Sequence, residues 1–377
     1  MAEKLKPRDN YLQNIEREYH DATAIKQGAE YRLTGNQLLL LFTPEQVAHA
    51  KQEMLLALEP GRIKNKNIMP GAPKKELPAT MRIPLKNGDV EIPNQSLCTF
   101  EVLLKNAAII EKEYPKLIAD LPDDEPWKYP KAAHALLTTD AGKKTLYEIQ
   151  QQSPEENYYL LLFIIGNHDL GRVIDAKKRH GLPLPAECEN TTHHGTASVQ
   201  LLKNWGVLSS FSQDTQEIIS YSLEHHADMV TPKLEPNASD TEKIKHAFTC
   251  LVRDIDKLSL FVHNTDKYLS DEKTKAGQIQ MNNLEGEQGM IKPVALLDDF
   301  TKYKIIDRTR CQSYEAFMLQ FLAWIYDVNV KKVLKQIVQS GAVEKLLEYF
   351  KNHLPENQYQ DILQATNSYL ESQELKN

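Results

Sequence analysis

A histidine and an aspartate that stand side by side, His168 and Asp169, are the residues of this chain best suited to metal chemistry. They come just after an apolar run, Tyr158 to Ile165, that is either a buried strand or the inner part of a core helix. The run therefore carries both side chains toward the protein interior. Burying an imidazole and a carboxylate is costly unless both are hydrogen-bonded, paired with charges or bound to a metal ion. A metal ion meets that need directly, and the chain offers further ligands.

Further histidines lie at the buried edges of two later predicted helices. With about 100° per residue, His194 lies in the middle of an apolar stripe. His193 lies about a third of a turn away, so it either faces solvent or contacts a metal ligand without binding the metal itself. His225 and His226 lie on opposite edges of the next stripe, and His226 is slightly nearer its centre. The alternative for this pair is an interaction with the negative end of the helix dipole. The histidine pattern alone leaves both interpretations open.

Asp256 and His134 are the remaining candidate ligands. Asp256 lies at the flank of the apolar stripe of a predicted helix. Asp254 is expected to point away from that stripe, either into solvent or toward residues that support a metal ligand. His134 shares its face with apolar and threonine side chains. Each residue has a structural alternative, because a histidine on an apolar face is more often a hydrogen-bonded core residue, and an aspartate can pair with a neighbouring base. Histidines and aspartates at the buried edges of several separate helices are better explained by a shared metal site.

The order His134, His168-Asp169, Asp256 resembles the HD superfamily of metal-dependent phosphohydrolases. That family has an all-α core and is named for its adjacent His-Asp pair. The segment Ile164 to Arg172 is similar to the family's apolar run followed by His-Asp, Ile or Leu, Gly, and Lys or Arg. The segment Arg253 to Leu258 is similar to its terminal stretch, in which the aspartate before Lys-Leu or Arg-Leu is the ligand.

Two further stretches resemble the multi-histidine bacterial members of this family. They are the helix that begins at His194 and the pair His225-His226. The resemblance implies that His134, His168, Asp169 and Asp256 bind one ion. It also implies a second ion held by His194 with His225 or His226, with Asp169 bridging the two ions.

The resemblance implies hydrolysis of a phosphoester, in a nucleotide or another small phosphorylated metabolite, by a metal-activated water. Two ions about 3.5–4 Å apart would activate the water and clamp phosphoryl oxygens, with Asp169 and Arg172 as catalytic residues. Arg172, and Lys177 or Lys178, would neutralise phosphate charge, although a solvated basic face is an alternative for the lysines. Imidazole and carboxylate ligands suit Mn²⁺, Fe²⁺, Co²⁺, Ni²⁺, Mg²⁺ or Zn²⁺, so the identity of the metal stays open.

Two other functions are compatible with this ligand set. The first is a di-iron oxygenase on an HD scaffold, and the second is a regulatory or binding module in which the metal only stabilises the fold. The chain lacks a Gly-Tyr-Pro stretch after His225-His226, which argues against the cyclic-dinucleotide cleavage of the HD-GYP subgroup.

The elements that must position these residues are predicted to be helices. Residues 1–95 form an N-terminal accessory region with a small hairpin at Asn87-Gly88, residues 96–270 form the metal-binding core, and residues 271–377 form a loop and a helical C-terminal extension. Ser270 to Gly289 is polar and is predicted to be a loop or insertion. The helical periods cover Phe100–Leu117, Ala132–Gln150, Glu156–Arg179, His194–Trp205, Thr215–Met229, Lys243–Val262, Tyr314–Val328 and Val330–Phe350. The predicted fold class is all-α.

Composition and charge indicate which binding partners and which cellular location are expected. A net charge of −7 argues against non-specific binding of nucleic acid. The four cysteines, Cys98, Cys188, Cys250 and Cys311, form no Cys-x-x-Cys pair, which indicates reduced thiols in a cytoplasmic location. The polar N-terminal segment indicates no signal peptide, and no apolar run reaches the roughly 20 residues of a membrane span. A small phosphorylated substrate is the expected partner, and self-association into a homo-oligomer is left open.

Overall fold

The structure, a computed structural model, describes residues 79–86, 88–122, 125 and 155–375. Within these residues the chain is mostly helical, with a two-stranded antiparallel hairpin near the beginning of the described part. The predicted all-α core with a small hairpin is therefore confirmed. The predicted helix Ala132–Gln150 and the candidate ligand His134 lie outside the described residues.

The hairpin consists of β1 (Thr80–Leu85) and β2 (Gly88–Pro93). Its buried side chains alternate with exposed ones, as expected when one face of a sheet packs on a core. Ile83 is fully buried, and the backbone of Lys86 at the turn donates a hydrogen bond of 2.6 Å to the carbonyl oxygen of Asn329. The hairpin is thus joined to the C-terminal part of the chain.

The helices follow one another through the rest of the described chain. They are α1 (Phe100–Ile118), α2 (Glu155–Asn167), α3 (Arg172–Arg179), α4 (His194–Asn204), α5 (Gln213–His225), α6 (Asp240–Ser270), α7 (Glu272–Met281), α8 (Ala295–Thr301), α9 (Tyr314–Ala323), α10 (Lys331–Gln339), α11 (Ala342–His353) and α12 (Glu356–Ser372). None of the helices in this part of the chain combines the length and apolar character that a bilayer crossing demands.

The apolar run before the His-Asp pair is helical, and it forms most of α2. The sequence predicts one helix from Glu156 to Arg179, but the chain leaves the helical path at residues 168–171 before α3 begins. The side chain of Asn167 donates a 2.8 Å hydrogen bond to the carbonyl oxygen of Phe163, which satisfies an acceptor in the last turn of α2. The break places the His-Asp pair on a turn between two helices.

The long helix α6 is the centre of the fold. It packs against α2 and α5 on the side of the His-Asp turn, and against α7, α10, α11 and the hairpin elsewhere. Its N-terminus is fixed by a capping box, in which Ser239 and Glu242 each bond the backbone of the other. Because α6 touches so many elements, residues on its different faces reach different parts of the molecule.

The C-terminal half departs from the sequence expectation in two places. The segment predicted as a loop contains α7, whose first turn is capped by the Asp271 side chain. The continuous helix predicted from Val330 to Phe350 is divided into α10 and α11 at Gly341, which has a φ of +78°. Only glycine adopts that left-handed backbone at little cost, so the helix ends there. Helical period alone does not report such a break.

Candidate metal centre

The His-Asp turn presents two acceptors toward the middle of the helical core. His168 is 1% exposed, and its Nδ1 lies 2.5 Å from the carbonyl oxygen of Ile165. A carbonyl oxygen can only accept, so Nδ1 carries a proton, and in a neutral ring Nε2 would present a lone pair. That Nε2 lies 3.5 Å from Asp169 Oδ2 and 3.5 Å from Asp256 Oδ1.

A second pair of histidines faces the other oxygen of Asp169. His194, at the start of α4, and His226, just after α5, have their Nε2 atoms 3.0 Å apart. Their Nε2 atoms lie 3.3 Å and 3.8 Å from Asp169 Oδ1, respectively. Nδ1 of His226 lies 2.7 Å from the carbonyl oxygen of Leu223, so this ring also presents the lone pair of Nε2 to the cluster.

Close helix packing brings these residues together. A Cβ on Gly171 would overlap the backbone oxygen of His194, and a Cβ on Gly195 would overlap the backbone oxygen of Leu223. The Ser198 hydroxyl accepts a 2.8 Å hydrogen bond from the Gly171 amide and lies 3.0 Å from the His194 carbonyl oxygen. The two glycines therefore let α4 approach both the His-Asp turn and α5, and Ser198 fixes the first of these contacts.

Burial keeps the imidazoles of His194 and His226 neutral. Burial lowers the pKa of His194 to about 2, because desolvation outweighs the favourable charge of Asp169. Burial also lowers the pKa of His226. A neutral imidazole is the form that binds a metal ion, so these two histidines need not release a proton in order to act as ligands.

The donor atoms fit a divalent cation. His168, Asp169 and His226 each have one possible ligand atom that lies within 4.8 Å of the other two, so this group could hold a metal ion. Lone pairs of imidazoles and carboxylates repel each other unless a proton or a cation lies between them. Nδ1 hydrogen bonds to backbone carbonyls are also the usual means of orienting histidine ligands.

Five residues that the sequence singled out meet in this cluster. They are His168, Asp169, His194, His226 and Asp256. His225 does not join them, because its Nδ1 lies 2.6 Å from Asp228 and its side chain is 34% exposed. His193 caps α4 by accepting a hydrogen bond from the Gly195 amide.

The predicted surroundings of Asp254 and Lys177 differ from those in the structure. Asp254 is fully buried, and it accepts hydrogen bonds from the backbone amides of Asn329 and Val330, so of its two predicted positions the one in solvent is wrong. Lys177 is also buried and lies 2.6 Å from the carboxylate of Asp120. Helix period cannot identify a buried face that packs on a distant segment of the chain.

Arg172 is a basic residue whose side chain contacts a carboxylate of the cluster. Its Nε donates a 3.1 Å hydrogen bond to Asp169 Oδ1, and its side chain is 36% exposed. The exposed Lys178 instead donates to the carbonyl oxygen of Thr191. Arg172 is thus a partly exposed cation that an anion bound at the cluster would meet.

Sequence reasoning missed the residues that hold the ligands in place. Neither Ser198 nor Arg253 is among the candidate site residues that the sequence provides. A small polar residue on a buried stripe is the one signal that points to Ser198, because its hydroxyl must find partners there.

Comparisons with protein-family models, with curated proteins and with solved structures give no match to this chain. The resemblance to the HD superfamily therefore depends on the sequence motifs alone.

Proposed function

We propose that this chain is a metal-dependent phosphohydrolase of the HD type that acts on a small phosphorylated metabolite, such as a nucleotide. The observation that carries the proposal is the convergence of three histidines and two aspartates from four separate segments of the chain into one buried cluster. His168, Asp169 and Asp256 would hold one ion, and His194 and His226 would hold a second, with Asp169 between them.

The net charge of the cluster favours binding of a metal ion, and the charge with metal bound favours binding of a phosphate group. Asp169 and Asp256 contribute −2 and Arg172 contributes +1, so the sum with neutral histidines is −1. That charge repels a phosphoester. With one divalent ion bound the sum becomes +1, and with two it becomes +3, which attracts a phosphoryl group. A bound divalent ion would supply an activated water and neutralise developing charge on the phosphoryl oxygens.

The residues of the chain would divide the remaining tasks. The Asp169 carboxylate faces both histidine groups, and in the proposed reaction it would accept a proton from an attacking water. Arg172 can orient a phosphoryl oxygen while its Nε holds Asp169 in place. The carbonyl oxygens of Ile165 and Leu223 keep the protons of His168 and His226 on Nδ1 and away from the site.

Elemental analysis combined with a panel of phosphoesters tests this proposal. Protein purified without chelator is expected to contain transition metal and to hydrolyse at least one nucleotide or sugar phosphate when Mn²⁺ is added. Asp169→Asn should abolish the hydrolysis, whereas His225→Gln, a change beside the cluster, should not. Bound iron with consumption of O₂ would favour an oxygenase instead. Bound metal without turnover of any phosphoester would favour a metal-stabilised binding module.

A further inference from the structure

Arg253 connects the two segments that supply His226 and Asp256. Its Nη1 donates hydrogen bonds to the backbone carbonyl oxygens of His225, at 2.9 Å, and of His226, at 3.1 Å. Arg253 belongs to α6 and lies about 60° around that helix from Asp256. The guanidinium therefore connects the side of α6 that carries Asp256 with the end of α5.

Asp327, in the C-terminal half, holds this guanidinium from the other side. Its Oδ2 lies 2.6 Å from Arg253 Nη2 and 2.6 Å from Lys257 Nζ. The side chains of Arg253, Asp327 and Lys257 are 1%, 8% and 10% exposed, so all three charges are buried. A buried ion pair with little access to water keeps a fixed geometry, because each partner lacks an alternative solvent contact.

A different part of α6 anchors the same C-terminal segment without contacting the histidines. Asp254 lies about 160° around the helix from Asp256. Its Oδ2 accepts hydrogen bonds of 2.7 Å and 2.6 Å from the amides of Asn329 and Val330. Asp254 and Asp327 are thus two buried aspartates at one junction, and of these two Asp327 has the direct ion pair with Arg253.

We propose that Asp327 and Arg253 are positioning residues for the metal centre, which set the placement of His226 relative to Asp256. The C-terminal segment then belongs functionally to the site, although it supplies no ligand in the described cluster. This proposal rests on the metal binding that the proposed function requires, but not on hydrolysis.

The form of the side chain matters as well as its charge. The planar guanidinium of Arg253 bonds two carbonyl oxygens with one nitrogen and a carboxylate with another. A lysine keeps the positive charge but has one nitrogen and no planar fork, so it cannot reproduce all of these bonds. Loss of residues that orient metal ligands typically weakens metal affinity by about 10–100-fold.

Mn²⁺ binding to the full-length protein tests the proposal. The variants are Asp327→Asn and Arg253→Lys, and the matched control is Asp254→Asn, which changes another buried aspartate at the same junction. Titration calorimetry should show Mn²⁺ affinity reduced about 10–100-fold in both variants and changed less than about threefold in the control. Circular dichroism at the titration temperature should show that each protein is folded.

Pulsed electron paramagnetic resonance of the Mn²⁺ complex provides a readout that a general loss of stability does not alter. Nitrogen couplings from coordinated histidine should weaken in Arg253→Lys and persist in Asp254→Asn. If Asp327→Asn does not fold, the comparison of Arg253→Lys with Asp254→Asn is decisive. Unchanged affinity and couplings in Arg253→Lys, or an equal loss in Asp254→Asn, would overturn the proposal. Wild-type Mn²⁺ binding with the expected losses but without hydrolysis would support it and count against the proposed function.

Discussion

The Nε2 atoms of His194 and His226 lie 3.0 Å apart, and both face Oδ1 of Asp169. Nδ1 of His226 donates to a backbone carbonyl, so a hydrogen bond between the two rings requires the proton to be on His194. Binding of a metal ion at Nε2 of His194 would require the other tautomer of that neutral ring, with its proton on Nδ1. The two rings come from different helices, and their approach depends on the packing of α4 on α5.

The adjacent histidines His225 and His226 are expected to behave differently. His226→Ala removes a ligand and should lower Mn²⁺ affinity by more than about 100-fold, since even loss of an orienting partner costs about 10–100-fold. His225→Ala removes a half-exposed contact with Asp228 and should leave the affinity within about threefold. Titration calorimetry on both variants measures the difference. Equal affinities for the two variants would show that His226 is not a ligand.

The aspartates Asp254 and Asp256 should separate metal binding from stability. Asp256→Ala should abolish metal-dependent hydrolysis and weaken Mn²⁺ binding, because its Oδ1 faces His168 in the cluster. Asp254→Ala should keep most of the metal. It leaves two buried amides without an acceptor, so it should lower the free energy of unfolding by about 2 kcal/mol or more.

Metal content, hydrolysis rate and urea denaturation distinguish these two effects. Circular dichroism should first establish that both aspartate variants are folded. If Asp254→Ala loses its metal while Asp256→Ala keeps it, the ligand on α6 has been assigned to the wrong aspartate.

Glycine at position 195 is expected to be required for the approach of His194 to His226. A methyl group there would overlap the Leu223 carbonyl oxygen, so Gly195→Ala should push α4 away from α5 and weaken Mn²⁺ binding by about 10-fold or more. Gly277→Ala is the matched control, because a Cβ at this helical glycine meets nothing within 4 Å. It should leave metal binding unchanged and stabilise α7 by about 0.5–1 kcal/mol. Gly195→Ala with wild-type Mn²⁺ affinity would contradict this role.

The stability of the metal-free protein should fall in mildly acidic solution. Burial lowers the pKa of His194 to about 2, while an unfolded histidine has a pKa of about 6.5. As the pH falls below about 6.5, the unfolded chain takes up the proton first, so the free energy of unfolding decreases. From His194 alone we expect a loss of about 1.4 kcal/mol between about pH 7.5 and 5.5.

Chemical denaturation of chelator-treated protein at several pH values measures this loss, and His194→Gln should lack it. Burial raises the pKa of Asp254 to about 6, which acts in the opposite direction because the folded state then binds the proton first. That contribution is common to both proteins and cancels in the comparison. Parallel pH profiles for wild type and His194→Gln would contradict the prediction.

The sequence by itself determined the helical class, the hairpin and the residue types that can bind metal. Apolar residues recur with the period of a helix, and this period is set by local backbone geometry, so it can be read without knowledge of the fold. The position of His168 and Asp169 after an apolar run also predicted their arrival in the interior, because the run must be buried.

Only the tertiary structure decided which of the candidates meet. His225 and His226 are neighbours in sequence, yet their side chains have different partners, because the end of α5 directs one toward Asp169 and the other toward Asp228. The burial of Asp254 depends on Asn329, which lies far away along the chain. Such contacts come from packing between distant segments, and no local periodicity reports them. The candidate residues of the site can therefore be identified from local sequence, whereas their contacts with one another depend on the whole fold.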